Sequence, residues 1–396
     1  MVRSFYSYLT RPTVKDRLFF ARTILCLGFI SVLLVTYRQW INERFFPFAP
    51  VFDFIPILSP PLGIILLGGI ITLLGILIFY PNKYIFTGFL GLVIYALLQD
   101  QARMYPVVYQ FPFMLGAIIW FNQNRSEKRG KLALACIQII LIGIYIWSGL
   151  HKLNYVYLHE TFQRLIGPLL EAFPTLESLP LSLLAVVTAV VETGAGLALA
   201  FRATQKYAAW ILIGMHSFIL LMVGPFGMEF NTVIWSWNIS SILLLSAVFL
   251  GQNNQQAISY VVPRNFYHGV VVALFWVMPA LNFAGLWDHY PSASLYSGKK
   301  PYARIHLTDN VKKKFSPQVQ AKVSLLNELS IRDWSYTKLH APDYPQPRVY
   351  KSIFRDLCQY QQQKYGLVLE IFGTADLITG KRKRQEYFCH ELSADT

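Results

Sequence analysis

A lysine stands at the end of one of the longest apolar stretches of the chain. Residues 136–154 read CIQIILIGIYIWSGLHKLN, a run that could span a bilayer and that ends in His151, Lys152 and Asn154. An amine at membrane depth must face protein or water, or lose its proton. A neutral amine can accept a proton, so Lys152 is a candidate catalytic base or a ligand for a charged substrate. The alternative is a lysine at a helix end whose ammonium extends to the membrane surface, and His151, on another face of the helix, is expected to be structural.

Further polar residues interrupt other apolar stretches. Glu192 and His216 could form a proton relay or bind a quinone headgroup, or they could simply hydrogen-bond one helix to another. Asp100 and Arg103 are three residues apart and could pair with each other. The candidate catalytic residues are therefore Lys152, Arg103, Glu192 and His216, and the candidate cavity-lining residues are Asp100, Gln101, Asn154, Asn231, Trp235, Trp237 and Asn238.

Composition indicates the class of protein that positions these residues. The 396 residues are 54% hydrophobic and 14% charged, and the mean hydropathy is +0.40, which is typical of an integral membrane protein. The formal net charge of +14 would suggest nucleic acid in a soluble protein. Here the basic residues lie mostly in short loops and in the tail, so topology and anionic lipid explain them, and we expect a lipid bilayer and no nucleic acid as partner. The first apolar run, 19–37, lacks a small-residue cleavage site and is expected to remain as a helix.

Hydropathy predicts an all-α polytopic bundle of about nine transmembrane helices over residues 1–290. Basic residues in 1–18 and 122–131 place the N-terminus in the cytoplasm by the positive-inside rule, which puts Lys152 and the other candidate residues in the outer half of the bundle. The three prolines of residues 155–180 predict a broken segment. The predicted spans are 19–37, 61–80, 84–99, a fourth ending near 121, 136–154, 181–201, 207–223, 233–250 and 266–286.

The composition changes after the last span, where residues 295–396 predict a small α+β domain outside the membrane. Alternation predicts strands at 302–307 and 367–372, and apolar periodicity predicts helices at 315–329 and 349–364. Lys381 to Arg384 indicate an exposed turn or a patch facing lipid. Cys358 and Cys389 could form a disulfide in an oxidising compartment, or be two buried thiols. The chain shows no CxxC and no spacing typical of metal ligands, so no metal site is expected.

Several of these segments together resemble the vitamin K-dependent γ-glutamyl carboxylases. Residues 148–154, SGLHKLN, resemble the lysine-bearing segment of that family, and residues 192–208, ETGAGLALAFRATQKYA, are similar to its acidic-x-x-Ala-Gly span and the following turn. Met215-His216, residues 226–228 and residues 281–296 resemble three later segments in the same order. The similarity covers roughly residues 90–300, the core of the bacterial carboxylase-like transmembrane (HTTM) superfamily.

The resemblance implies a nine-span bundle with an outward active site. It also implies a reaction in which oxygenation of a reduced naphthoquinone drives proton removal from a glutamate γ-carbon and CO₂ addition. Lys152 would deprotonate the quinol. The carboxylases carry a histidine in an outer loop where this chain has residues 100–103, and Arg103 could replace it electrostatically but not as an acid or base.

Two functions follow as hypotheses. One is a carboxylase-like membrane enzyme, a lyase or ligase, that uses a quinol or lipid with Lys152 as base, and its implied cofactor is a reduced naphthoquinone. The other is a non-catalytic scaffold or assembly partner for an exported protein or peptide, or a DoxX/MauE-like redox-associated subunit, whose redox version the missing CxxC weakens. The short loops favour a bacterial inner membrane with the C-terminal domain in the periplasm.

Overall fold

The computed structural model describes residues 13–41, 43–121, 126–224, 227–228, 232–250, 265–361 and 366–392. Among these residues, seven helices are long and apolar enough to cross a membrane, and two further apolar helices are shorter. A small antiparallel sheet lies near the C-terminus. The mainly helical architecture with a small sheet agrees with the prediction.

The apolar helices begin and end close to the bounds that hydropathy predicts, except that the helix bearing Lys152 begins about two turns earlier. The two shorter helices have 17 residues in α3 and 16 in α4. The nine are α1 Val14–Val35, α2 Pro60–Phe79, α3 Lys83–Gln99, α4 Pro106–Phe121, α5 Glu127–Lys152, α6 Leu181–Ala198, α7 Gln205–Val223, α8 Thr232–Phe249 and α9 Phe266–Ala284.

Helix α5 is the central helix of the bundle. Its most apolar window is 83% buried, against 28–50% for the other six long helices. It packs most extensively on α6, and Gly149 permits the close approach because an added Cβ would lie 2.7 Å from the Ala189 carbonyl oxygen and closer still to the Thr193 hydroxyl. One turn further on, the same contact brings Lys152 of α5 beside Glu192 of α6.

The segment between α5 and α6 is broken, as its prolines predict. It contains no regular helix longer than six residues, because Pro168, Pro174 and Pro180 each remove a backbone donor. The pieces are a π-helical turn at Tyr157–Thr161, α-helical turns at Phe162–Leu165 and Gly167–Ala172, and a 3₁₀ turn at Pro174–Ser178.

The sheet has strand order β2-β1-β3-β4, with every pair antiparallel. The strands are β1 Tyr302–His306, β2 Glu328–Ser330, β3 Val368–Phe372 and β4 Arg384–Phe388, and the two longer helices are α10 Ile331–Leu339 and α11 Pro347–Cys358. Short helical turns lie at Tyr37–Trp40, Gln101–Arg103, Asp309–Lys312, Pro317–Gln320 and Cys389–Leu392.

One prediction for this part of the chain is wrong. The helix predicted at 315–329 is only the turn Pro317–Gln320, because residues 328–330 pair with β1 as a strand. Lys381 to Arg384 are mostly exposed, as predicted, but they lead into strand β4, which was not predicted and in which Arg384 lies opposite Phe372. Strand pairing satisfies backbone groups irrespective of side-chain hydropathy, so this polar edge strand carries no apolar alternation to detect.

The sheet region packs directly on the helical bundle. Phe45, in the loop after α1, contacts Phe315 with ring centroids 5.3 Å apart, and Phe46 contacts Trp334 at 4.8 Å. One continuous cluster of buried apolar residues runs from α1 to the last helical turn. Cys358 and Cys389 form a disulfide that joins the end of α11 to the turn after β4.

Candidate functional site

Lys152 forms an ion pair with Glu192 inside the bundle. The ammonium group donates to the Glu192 carboxylate and lies 3.4 Å from the Ser148 hydroxyl on its own helix. The two side chains are 11% and 5% exposed. Two charges so far removed from water are tolerated because they are paired. Lys152 is therefore engaged by a carboxylate and is not the isolated neutral amine that the sequence argument invokes.

His216 of α7 joins two further helices, α5 and α8, next to this pair. Its Nε2 lies 2.8 Å from the Tyr145 hydroxyl of α5, and its Nδ1 lies 2.5 Å from Asn238 Oδ1 of α8. The Asn238 amide nitrogen donates to the carbonyl of Ile234, so the oxygen of that amide faces the histidine as an acceptor. The geometry thus assigns the proton to Nδ1 and makes Nε2 the acceptor of the tyrosine hydroxyl. The fold thus brings together a buried polar set, which consists of the predicted residues Lys152, Glu192, His216 and Asn238 and of Tyr145, which was not predicted.

A large cavity lies near this set, although Lys152, Glu192, His216, Asn238 and Tyr145 are not among the residues that line it. Its volume is about 1000 Å³, the upper end of the range for small-molecule sites. Trp237 lines it while packing its ring against His216 at 5.7 Å, and its indole donates to Gln110. The ring centroid of Tyr157 lies 6.0 Å from the Lys152 ammonium nitrogen. Two residues near Tyr157 in the chain, Val156 and Thr161, line the cavity.

The residues that line the cavity fall into two groups of different chemistry. Apolar side chains come from the bundle and the broken segment, and charged side chains come from the broken segment and the sheet region. The apolar group includes Val107, Leu165, Met228, Val233 and Ile234, and the charged group includes Glu160, Arg164, Lys300, Arg332 and Arg382. The cavity is therefore amphipathic, which suits a ligand with one apolar and one polar end.

Arg103 and its neighbours lie in a different place from Lys152. The buried Arg103 guanidinium donates to the carbonyls of Gln39 at 3.1 Å and Ala96 at 2.9 Å. Asp100 pairs with Arg44, and Gln101 accepts from Arg348 at 2.8 Å. The Arg103 and Asp100 contacts hold the segment after α1 to the α3–α4 connection, and the Gln101 contact joins that connection to α11. These contacts give Arg103 a structural role on backbone carbonyls, and its catalytic role stays a prediction.

Two other predicted cavity residues also have structural contacts. The Asn154 amide donates to the carbonyls of His151 at 2.8 Å and Ser297 at 2.9 Å, which fixes the chain after α5. The Trp235 indole donates to the Val223 carbonyl at the end of α7. Neither side chain lines the cavity, and Asn231 lies outside the described residues.

Lys299 is a buried cation that the sequence analysis missed. It is 1% exposed, lies 2.9 Å from His151 Nδ1, and stacks over the Phe283 ring. Burial lowers its pKa to about 8. In the sequence Lys299 and Lys300 resemble an ordinary solvated pair, and only the packing of the sheet region on the bundle places them inside.

Comparisons with known proteins do not assign this site. A scan against protein-family models, a search of curated proteins and a search of solved structures each found no match to this chain. Within the described part of the chain, no group of three or more His, Cys, Asp or Glu could hold a metal ion. The functional argument therefore depends on the geometry of the polar set and the cavity.

Proposed function

We propose that this protein is an integral membrane enzyme that removes a proton from a hydroxyl group of an amphipathic substrate at the Lys152–Glu192 pair. The observation that carries the proposal is the ion pair itself, buried between helices that are otherwise apolar. Ionisable residues in such helices are rare and usually mark a substrate or proton pathway. The adjacent cavity gives a substrate of suitable shape a place to bind.

The two residues of the pair would have different roles in the proton transfer. In the resting pair Glu192 is the proton acceptor and Lys152 the cation. A substrate hydroxyl placed between them would give its proton to the carboxylate, and the ammonium would stabilise the resulting oxyanion. The base role assigned to Lys152 by resemblance thus becomes a role of the pair. A reduced naphthoquinone, the cofactor which that resemblance implies, is the first substrate to test because quinol hydroxyls are acidic.

We place the protein in a bacterial inner membrane with nine spans, the N-terminus in the cytoplasm and the sheet region in the periplasm. The shorter helices α3 and α4 are about 25 Å long, close to the thickness of a bilayer core. With both counted as spans, the sheet region follows an odd number of crossings and lies opposite the N-terminus. Thiol labelling of a cysteine placed at the exposed Gln318 in intact spheroplasts should reach it from outside, and protection there would contradict this orientation.

The enzyme proposal is tested by the absorbance of a bound quinol. The full chain is purified in nanodiscs and mixed anaerobically with a reduced naphthoquinone, and deprotonation is followed as the appearance of quinolate absorbance. We expect the signal in the wild type and its loss in the Glu192→Gln variant. The matched control is Glu127→Gln, since Glu127 pairs with Lys131 on the same helix α5 but is 73% exposed.

A loss of signal must be separated from a loss of folding. The double variant K152M/E192M removes both charges and keeps side-chain volume, so it should fold and remain inactive. An active double variant, or a wild type that binds neither a quinol nor an extracted native lipid, would contradict the proposal.

A second candidate function is a partner-binding scaffold. Leu325 and Leu326, in the loop before β2, are 105% and 77% exposed. Two adjacent exposed leucines on a region outside the apolar helices favour a protein contact. Crosslinking from position 326 in intact cells, followed by mass spectrometry, should then capture one protein in amounts comparable with the chain, and L325S should abolish that crosslink. Without such a crosslink this candidate is dropped.

A further inference from the structure

Three cations are among the charged residues that line the cavity. Arg164 comes from the broken segment, Lys300 from the connection before β1, and Arg332 from the first turn of α10. We call these three residues the cationic cluster. They are brought together from positions far apart in the sequence, so the cluster is produced by the fold and not by a local run of basic residues.

The cationic cluster has few counterions. Arg332 lies 3.7 Å from one oxygen of Asp343, and the other oxygen of that carboxylate accepts from the Tyr350 hydroxyl at 2.6 Å. Among the described residues the Arg164 guanidinium has no hydrogen-bond acceptor, although the charge of Glu160 acts on it. Burial, the largest cause, lowers the pKa of Lys300 to about 8; the nearby charge of Arg332 also lowers it, the charge of Asp343 opposes this, and Arg164 has a smaller lowering effect.

The whole cavity carries an excess of positive charge. Among the described residues, six basic and three acidic side chains line it, a net of three positive charges. One of the basic side chains, Arg304, is already paired with Glu328 at 3.2 Å. Another, Arg382, donates to the carbonyls of Gly298, Lys300 and Gly373. In the described part of the chain, Arg164 and Lys300 have no carboxylate within ion-pair distance, and Arg332 has the 3.7 Å contact with Asp343.

The apolar residues of the cavity lining indicate what the rest of the ligand is. Val233, Ile234 and Trp237 project from α8, a helix apolar enough to span a membrane. An inorganic anion would leave this surface without contact, and an acidic peptide would place polar backbone against it. An alkyl or isoprenoid chain would bury it favourably.

We propose that the cavity binds a lipid whose headgroup is a phosphate monoester or diphosphate, with the phosphate on Arg164, Lys300 and Arg332 and the chain along α8. Two guanidinium groups and an ammonium suit the several oxygens of a phosphate better than a single carboxylate, because each guanidinium can donate two parallel hydrogen bonds. The inference goes beyond the proposed function: it assigns a ligand to the cavity from the cavity's own lining, and it does not depend on proton transfer at the Lys152–Glu192 pair.

Binding is measured by native mass spectrometry and isothermal titration of the full chain in phosphatidylcholine nanodiscs. The probes are farnesyl diphosphate, farnesol, inorganic diphosphate and a peptide of ten glutamates. We expect farnesyl diphosphate to bind about ten-fold or more tightly than each of the others, since it alone suits both the apolar and the charged lining residues. Equal binding of inorganic diphosphate would identify a free anion as the ligand, preferred binding of the peptide would identify an acidic protein, and either result would overturn the proposal. So would equal binding of farnesol or no binding at all.

Single substitutions test whether binding depends on the cationic cluster or on the net positive charge of the whole cavity. Arg164→Gln and Lys300→Gln should each weaken farnesyl diphosphate binding about ten-fold, the effect of losing one hydrogen-bonded charge. Arg304→Gln, which removes a cation already paired in the same cavity, should change it less than about two-fold. An equal loss in all three would overturn the site. The double variant K152M/E192M, which leaves no buried charge unpaired, should leave binding unchanged, so failure of the proton-transfer proposal is distinguishable from failure of this one.

Discussion

The Lys152–Glu192 pair allows a prediction about stability that is independent of any substrate. Both side chains are nearly inaccessible, at 11% and 5% exposed. Replacing one partner leaves the other charge buried and unpaired, which typically destabilises a protein by about 3–5 kcal/mol. Lys152→Met and Glu192→Met should therefore each lower the free energy of unfolding by about that amount, because each leaves one charge without its partner.

The double variant should behave differently. In K152M/E192M no charge is left buried, and replacing a whole pair by apolar side chains of similar volume is often close to neutral. We expect its stability within about 1 kcal/mol of the wild type, which gives a coupling energy of several kcal/mol, large for two neighbouring side chains. The control pair, Glu127 and Lys131 on the same helix, is 73% and 41% exposed and should show a coupling of only about 0.5 kcal/mol.

Chemical unfolding in mixed micelles, followed by tryptophan fluorescence, measures all four members of each cycle. The reasoning is refuted if the single variants at 152 and 192 are no less stable than those at 127 and 131. It is also refuted if the double variant is as unstable as the sum of the two singles, because the pair would then be two independent contacts.

Three further predictions follow from packing, burial and the disulfide. Burial lowers the pKa of Lys299 from 10.5 to about 8, so the unfolded chain holds that proton more tightly and the free energy of unfolding should rise from about pH 8 to pH 10. Lys299→Met should remove this contribution to the rise and stabilise the protein at pH 7 by up to about 3 kcal/mol, as measured in thermal melts. Gly149→Ala should destabilise the α5–α6 contact by about 2 kcal/mol in the same melts, whereas Gly194→Ala, where an added Cβ meets no atom within 4 Å, should be neutral or slightly stabilising, and equal effects would contradict the close packing. Cys358→Ser should cost about 2–4 kcal/mol under oxidising conditions and nothing under reducing conditions, where the wild type also lacks the bond to Cys389; a cost that persists in reductant would show that the thiol packing matters instead.

The predictions from sequence were most successful where a signal is local. A helix in an apolar environment needs about twenty apolar residues in a row, and that pattern located the long helices to within a few residues except at the start of α5. Proline located the breaks in residues 155–180 for an equally local reason, the missing backbone donor. Strands β1 and β3, which are buried on at least one face, showed the alternation that burial requires.

Predictions failed where a long-range contact decided the structure. β4 is a strand because β3 provides its hydrogen bonds, and its own sequence is polar. Arg103 was expected at the same level as Lys152, but its guanidinium donates to the carbonyls of Gln39, after α1, and Ala96, in α3. Hydropathy gives the depth of a residue and not the neighbour it faces.

The candidate site shows the same division most clearly. The sequence alone determined that Lys152, Glu192 and His216 would be costly in apolar helices and therefore in need of partners. Only the tertiary structure decided which partners they have, because the α5–α6 contact at Gly149 sets Lys152 against Glu192. It also decided that Arg164, Lys300 and Arg332 share one cavity. Each of those cations looks like an ordinary solvated residue in its own segment, and the cluster becomes visible only in the folded chain, because its members come from separate segments that no local pattern links.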